Sequence, residues 1–367
     1  MQVLTVREDR SIALPARPAA TAARQGGRFM PTSHSRSAAP GAHAHRVFGP
    51  LISTGDVEAH ERLFCDVFGM EVAGRHTLDG GRAEALFGVA LDRVDLVALQ
   101  TPATASGVVL CRFDPVCEET VRSYATRVDR DALKVIDFYA PDYEAALEHA
   151  RGLGYEVVEA EAEYDLPEGR FREAHLWGPD NVVTAFLGGP AGFFRDFAQV
   201  TDRRVSEVQS ISAPLSDAEP AVRFYAEVFG WDVVYEYAIH DPSFADLLGV
   251  DAPLQLRSRN VGPSTREPYL GLIDYGLPAD VGGSLLGRPA PPRRGLLGAV
   301  VLADDLDAVR ARAGESVVGT TGLDLSPFAG ARAVLIHPPH QIPHLVVEVA
   351  AQEPVPEQAG NRPGPGD

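Results

Sequence analysis

The segment Arg62-Leu-Phe-Cys-Asp-Val-Phe-Gly-Met-Glu-Val72 recurs as Arg223-Phe-Tyr-Ala-Glu-Val-Phe-Gly-Trp-Asp-Val233, a constant offset of 161 residues (223 − 62). The same offset relates Asp56 to Asp217, and Leu86-Phe-Gly-Val89 to Leu247-Leu-Gly-Val250. No gap is needed across this span, so loops are repeated along with elements. A repeat is one supersecondary unit that buries its apolar face against its neighbours, so the unit dictates the architecture. This chain is an internal duplication.

A length of 367 residues suits two domains of ordinary size. The composition, 45% hydrophobic and 23% charged, is that of a globular chain, and no apolar run is long enough to cross a bilayer. A net charge of −18 argues against nucleic acid or an anionic membrane surface as partner, because both require clustered cations. Lys134 is the only lysine, which reads as a GC-rich coding bias toward arginine. Cys65, Cys111 and Cys117 show no CxxC spacing and suggest reduced thiols, hence a cytoplasmic location. Residues 1–45 and 351–367, rich in Ala, Arg, Ser, Gly and Pro, lack hydrophobic periodicity and are expected to be disordered tails, with Met1 or Met30 as the start.

Between the tails the pattern predicts four βαβββ units. The first opens with a strand over Val47–Thr54 and a helix capped by Asp56. That helix carries an apolar stripe (Leu63, Phe64, Val67, Phe68) and stops at Gly69. The second opens with Val135–Ala140, has a helix after Asp142, and continues with strands over Tyr155–Ala160, Glu173–Trp177 and Val182–Leu187. The third starts at Val208, and the fourth spans Leu297–Val349 with a helix after Asp305. The expected organisation is α+β, with units paired consecutively into cleft-forming domains at 46–190 and 205–350, joined by a linker at 191–204.

An Asp-capped helix carrying Arg223-Phe-Tyr and Val228-Phe-Gly-Trp231, followed by a last hairpin containing Gly178-Pro-Asp180, resembles the vicinal oxygen chelate superfamily. That group includes glyoxalase, bleomycin-resistance proteins and extradiol dioxygenases. The likeness spans residues 46–350, and its motif is structural, so it speaks to fold more than to reaction.

The resemblance implies a divalent metal on the floor of each cleft, held from the first and last strands of the units. The first-strand positions carried over are Gly49, Val135, Ser210 and Gly298; the last-strand positions are Ala185 and His344. Only His344 is a ready ligand, whereas zinc, iron or manganese sites need three or four N, O or S donors. No metal is therefore expected, although a divalent metal stays open as a cofactor.

Strand alternation tests this register. With Ile136, Phe138 and Ala140 toward the helices, Val135, Asp137 and Tyr139 face the cleft; with Ile211 and Ala213 inward, Ser210 and Ser212 face it. With Leu345, Val347 and Val349 toward the helices, His344, Val346 and Glu348 face it too. The catalytic candidates are His344, Glu348, Tyr139 and Asp137, and the substrate-binding candidates Ser210, Ser212, Val135 and Val346. His344 and Glu348 lie about 13 Å apart along one strand face, so only a shared ligand touches both. His337, His340 and His344 form a local cluster that could bind a metal or else reads as a proline-stiffened hairpin with exposed imidazoles, the two prolines working against convergence on one ion. His175 reads as a structural histidine and His60 as solvated.

Three functional readings follow. The first is a glyoxalase-like lyase, isomerase or cyclase, without the family's full metal triad, acting on a small hydrophobic or aromatic metabolite of the secondary-metabolism kind. The alternatives are a sequestering resistance protein and a metal-dependent extradiol-type dioxygenase, the last disfavoured by the empty ligand positions. A small molecule is the expected partner, with the protein a monomer or homodimer.

Overall fold

The computed structural model describes residues 45–157, 161–251, 254–278 and 280–350; the expected tails, apart from His45, lie outside them. Sixteen strands form two curled eight-stranded sheets flanked by helices, an α+β half-barrel architecture. The first unit contains β1 (His45–Ser53), α1 (Val57–Arg62), β2 (Glu71–Asp79), α2 (Gly80–Phe87), β3 (Arg93–Gln100) and β4 (Gly107–Asp114). The second contains β5 (Val135–Tyr139), α3 (Tyr143–Gly152), β6 (Ala162–Leu166), β7 (Gly169–Trp177) and β8 (Val183–Gly188), and a short helix α4 (Ala191–Phe194) follows. The third contains β9 (Val208–Pro214), α5 (Glu219–Phe229), β10 (Asp232–Ile239), α6 (Pro242–Leu248), β11 (Leu256–Gly262) and β12 (Tyr269–Asp274). The fourth contains β13 (Gly295–Ala303), α7 (Leu306–Ala313), β14 (Val317–Leu323), β15 (Ala331–Ile336) and β16 (His344–Glu348).

Local chemistry sets the helix boundaries. Asp56, Asp142 and Asp305 cap α1, α3 and α7 by accepting from the backbone N–H of Ala59, Ala145 and Ala308. Gly69 and Gly230 adopt φ of 66° and 67°, the left-handed turn that only glycine enters without strain. Helices α2 and α6 are additions to the expected unit. They occupy the repeated Leu-x-Gly-Val segment, begin at Asp79 and Asp241 caps, and end at Gly88 and Gly249. The strand expected over Tyr155–Ala160 is instead a single bridge from Val157 to Leu176, with 158–160 outside the described residues and the ordered strand at β6.

The strand order corrects the consecutive pairing. One sheet runs β14-β15-β16-β13-β1-β4-β3-β2, joining the first and fourth units; the other runs β10-β11-β12-β9-β5-β8-β7-β6, joining the second and third. Segments 46–190 and 205–350 therefore each contribute half of both sheets. The central seams are antiparallel, β1 with β13 and β5 with β9. Helices of consecutive units do share a convex face: Phe68, just beyond α1, stacks on Phe138 of β5, with ring centroids 4.1 Å apart. Likewise Tyr225 of α5 stacks on His344 of β16 at 5.6 Å. One continuous apolar core, containing Phe64, Phe68, Phe138, Phe186, Tyr225, Trp231, Val301 and Val346, thus runs between the convex sides of the two sheets.

Candidate functional site

The concave sides of the two sheets differ. The outer sheet, made of the first and fourth units, wraps around a packed core in which α2 inserts Leu86 and Phe87 among Phe48, Phe113 and Phe328. Leu345 and Val347 belong to this interior, while His344 and Val346 point to the helix side. This corrects the cleft assignment of His344, Val346 and Glu348. An apolar set on one strand face does not distinguish a helix-covered surface from a chamber filled with side chains; here the chamber is filled.

His344 is fully buried and its Nε2 lies 3.0 Å from the Tyr225 hydroxyl, which also meets His340 Nε2 at 2.7 Å. Its Nδ1 is 3.1 Å from the Ile342 carbonyl, and burial lowers its pKa to about 4. The expected exposed imidazoles at 340 and 344 are therefore a buried structural network. Glu348 sits at the sheet margin in a bidentate pair with Arg332 and has no part in a chamber. His60 is buried as well, 3.3 Å from Asp180, which also accepts from Thr54 and pairs with Arg294.

The inner sheet, made of the second and third units, retains a chamber of about 70 Å3, room for roughly five water-sized centres. Val135, Asp137, Ser210 and Ser212 line it as the alternation predicts. Tyr139 is on the same face but lies beneath Phe194, stacked at 3.8 Å, and belongs to the aromatic wall, outside the cavity lining. Asp137 occupies the middle of the floor, opposite Ala185 on β8 and Ser210 on β9. Its Oδ2 accepts from the hydroxyls of Ser210 and Ser212.

Further polar groups surround it. Glu173 and His175 on β7 are bonded at 2.9 Å, and His175 lies opposite Ala185 in the ladder. Gln209, 2% exposed, donates to Glu207, and its Oε1 has no partner among the described residues. Lys134, 5% exposed, enters from the residue before β5. Tyr164, Tyr235, Tyr237, Tyr269 and Tyr275 form the walls, with Phe193 and Phe194 from α4 and Phe244 from α6. The segment expected as a plain linker therefore supplies part of the chamber's aromatic lining.

Burial governs the protonation of this floor. It raises the pKa of Asp137, and the nearby charge of Glu173 raises it further, against the two serine hydroxyls and Lys134. Glu173 is raised by the same desolvation, opposed by Lys134. Desolvation, aided by Arg122, lowers the Lys134 amine to about 7. These shifts favour neutral groups where charge would be poorly solvated. Sequence reasoning missed Lys134, Glu173 and Gln209. The one available signal was that Lys134 has no lysine companion anywhere in the chain.

The residues do not fit the metal that the fold implies. Val135 packs with Val183 and Ala185; Gly49 and Gly298 carry no donor; Ser210 is committed to Asp137 and His344 to Tyr225. Among the described residues no group of three or more His, Cys, Asp or Glu is placed to hold a metal ion.

No protein-family model matches the chain, and no curated protein sequence does. Among solved structures, glyoxalase I from Zea mays superposes with a TM-score of 0.54 at 13% identity, covering 83% of this chain and 92% of that one. A point mutant of the same maize enzyme gives a TM-score of 0.52 at the same identity and coverage. A putative dioxygenase from Bacillus subtilis reaches 0.45 at 10% identity, covering 83% and 86%. With the four repeated units, the paired half-barrel sheets and the two glyoxalase I superpositions together, the chain has the vicinal oxygen chelate superfamily fold in its tandem form.

Proposed function

We propose that the inner chamber is the active site of a metal-independent enzyme of lyase, isomerase or cyclase type, acting on a small aromatic or hydrophobic metabolite by general acid–base chemistry. The observation that carries this reading is the pair of buried carboxyls, Asp137 and Glu173, on the floor of an aromatic chamber, both with raised proton affinity. A carboxyl whose pKa is moved toward the working pH can both give and take a proton, and such groups cluster at reactive sites. In this scheme Asp137, oriented by Ser210 and Ser212, exchanges a proton with the ligand. Glu173, positioned by His175, serves the opposite transfer. Gln209 Oε1 is free to accept a hydrogen bond from a ligand hydroxyl or amine, since an unpaired buried acceptor costs about 1–3 kcal/mol.

The tyrosine and phenylalanine walls also favour a second reading, in which the chamber sequesters an aromatic compound without turnover. One experiment separates the two. A panel of small aromatic acids, alcohols and carbonyl compounds is screened by thermal shift, and compounds that bind are followed by NMR in deuterated buffer. Exchange of a ligand C–H that is lost in Asp137→Asn while binding persists supports the enzyme; binding without exchange in the parent protein supports sequestration. Failure of every aromatic compound to bind would remove both readings.

A further inference from the structure

Arginine supplies 32 of the 33 Lys and Arg residues (33 − 1), and the single lysine, Lys134, lines the inner chamber beside Asp137 and Glu173. Lysine is ordinarily an exposed residue, replaceable on a surface by arginine. This lysine is 5% exposed, its Nζ makes no hydrogen bond or ion pair among the described residues, and it lies 5.6 Å from the Tyr275 ring centroid. A guanidinium stays protonated under all physiological conditions and cannot act as a nucleophile; an amine can. The residue that the chain keeps as lysine is thus placed where only an amine provides nucleophilic chemistry.

We propose that Lys134 is a catalytic residue that forms an imine with a small aldehyde or ketone carrying an aromatic or hydrophobic group. This deepens the chamber reading above and rests on it.

The surroundings suit each step. Arg122, bonded to the carbonyls of Ala132 and Leu133, and Arg127 disfavour an ammonium at this point, while Glu173 and Asp137 favour it. Desolvation dominates, so a substantial share of the amine is unprotonated at neutral pH. Its lone pair attacks the carbonyl carbon, forming the C–N bond as the carbon–oxygen π pair moves to oxygen. That oxygen takes a proton from a floor carboxyl, and the nitrogen passes one to the carboxylate so formed, leaving a neutral carbinolamine. A second carboxyl proton then lets the hydroxyl depart as water as the C=N bond forms. The sum is amine, carbonyl and one carboxyl proton giving protonated imine, water and a carboxylate, with no oxidant or reductant. In a substrate with a C–H beside the carbonyl, the protonated imine draws electrons from that bond and Asp137 as carboxylate removes the proton, giving an enamine. Return of a proton to carbon followed by addition of water releases the carbonyl product and the free amine.

The absence of any other lysine makes the test direct. The full-length protein is incubated at pH 7 with benzaldehyde and sodium cyanoborohydride, then measured by intact mass and peptide mapping. One benzyl group on Lys134 is expected, formed faster than on the same lysine in urea-unfolded protein. No adduct is expected on that peptide in Lys134→Arg, or in Lys134→Met if the guanidinium does not fit. Labelling confined to the α-amino terminus, or no faster in the folded chain, would overturn the imine. Benzyl alcohol, which cannot form an imine, is titrated in parallel by tyrosine fluorescence. Its binding without a Lys134 adduct overturns the imine alone, whereas failure of both overturns the chamber reading as well.

Discussion

Asp137 and Lys134 share one buried floor, and their opposite ionisation makes their contributions separable by pH. For Asp137 the folded carboxyl holds its proton to higher pH than the unfolded one. The cost of burying it is absent below about pH 4 and grows as pH rises toward the raised folded value. Asp137→Asn, which keeps an oxygen for both serines, is therefore expected to stabilise the protein increasingly from about pH 4 upward, by up to a few kcal/mol. For Lys134 the folded pKa of about 7 lies below the ordinary value of 10.5, so its cost is full below pH 7 and relieved above it. Lys134→Met should stabilise most at about pH 6 to 7, by a few kcal/mol at most, with the gain shrinking toward about pH 10. Urea midpoints measured across this range check both; parallel slopes for the two variants would contradict the assigned environments. At this scale the strand pattern put Asp137, Ser210, Ser212 and Val135 on the face that lines the chamber, because Ile136 and Phe138 had to meet the helices. It misplaced His344 and Val346, because Leu345 and Val347 are equally at home against α2 inside the outer sheet.

The elements that decide where a chamber survives are the inserted helices. Helix α2 drives its apolar side into the outer half-barrel, and α6 only walls the inner one, leaving polar floor side chains uncovered. Close backbone approach reinforces the outer closure: a Cβ on Gly298 would sit 2.0 Å from the Pro343 carbonyl oxygen. Gly298→Ala should cost about 1–3 kcal/mol or more through overpacking, read as a lowered denaturation midpoint without loss of ligand binding to the inner chamber. Phe194 of α4, 3% exposed and stacked on Tyr139, is the complementary case. Phe194→Ala should cost about 3–5 kcal/mol and should also change affinity for aromatic ligands, as followed by fluorescence titration. Sequence periodicity identified α1, α3 and α7 through their aspartate caps. In α2 and α6, only eight and seven residues long, the apolar stripe is confined to Ala83, Leu86 and Phe87 and to Phe244, Ala245, Leu247 and Leu248. That run is too short to stand out, and the repeated Leu-x-Gly-Val was the visible trace.

Across the whole molecule, two sheets and a shared core tie all four units together. Each sheet takes strands from both halves of the chain, and Phe68, Tyr225 and Trp231 lie in the single core between them. The protein should therefore unfold in one cooperative transition by circular dichroism. A fragment comprising 46–190 should not fold alone, since β1 and β5 would each lose the antiparallel partner at the centre of its sheet. A folded, dispersed NMR spectrum from that fragment would contradict this. The repeat offset, the capped helices and the alternating strands already specify units, fold class and half of the chamber floor, because each is a short-range pattern that local backbone geometry enforces. Which unit pairs with which, which half-barrel is filled, and the meeting of Lys134, Asp137 and Glu173 depend on contacts between residues far apart in the chain. Those are settled by how apolar volume packs in three dimensions, which periodicity along a strand does not encode.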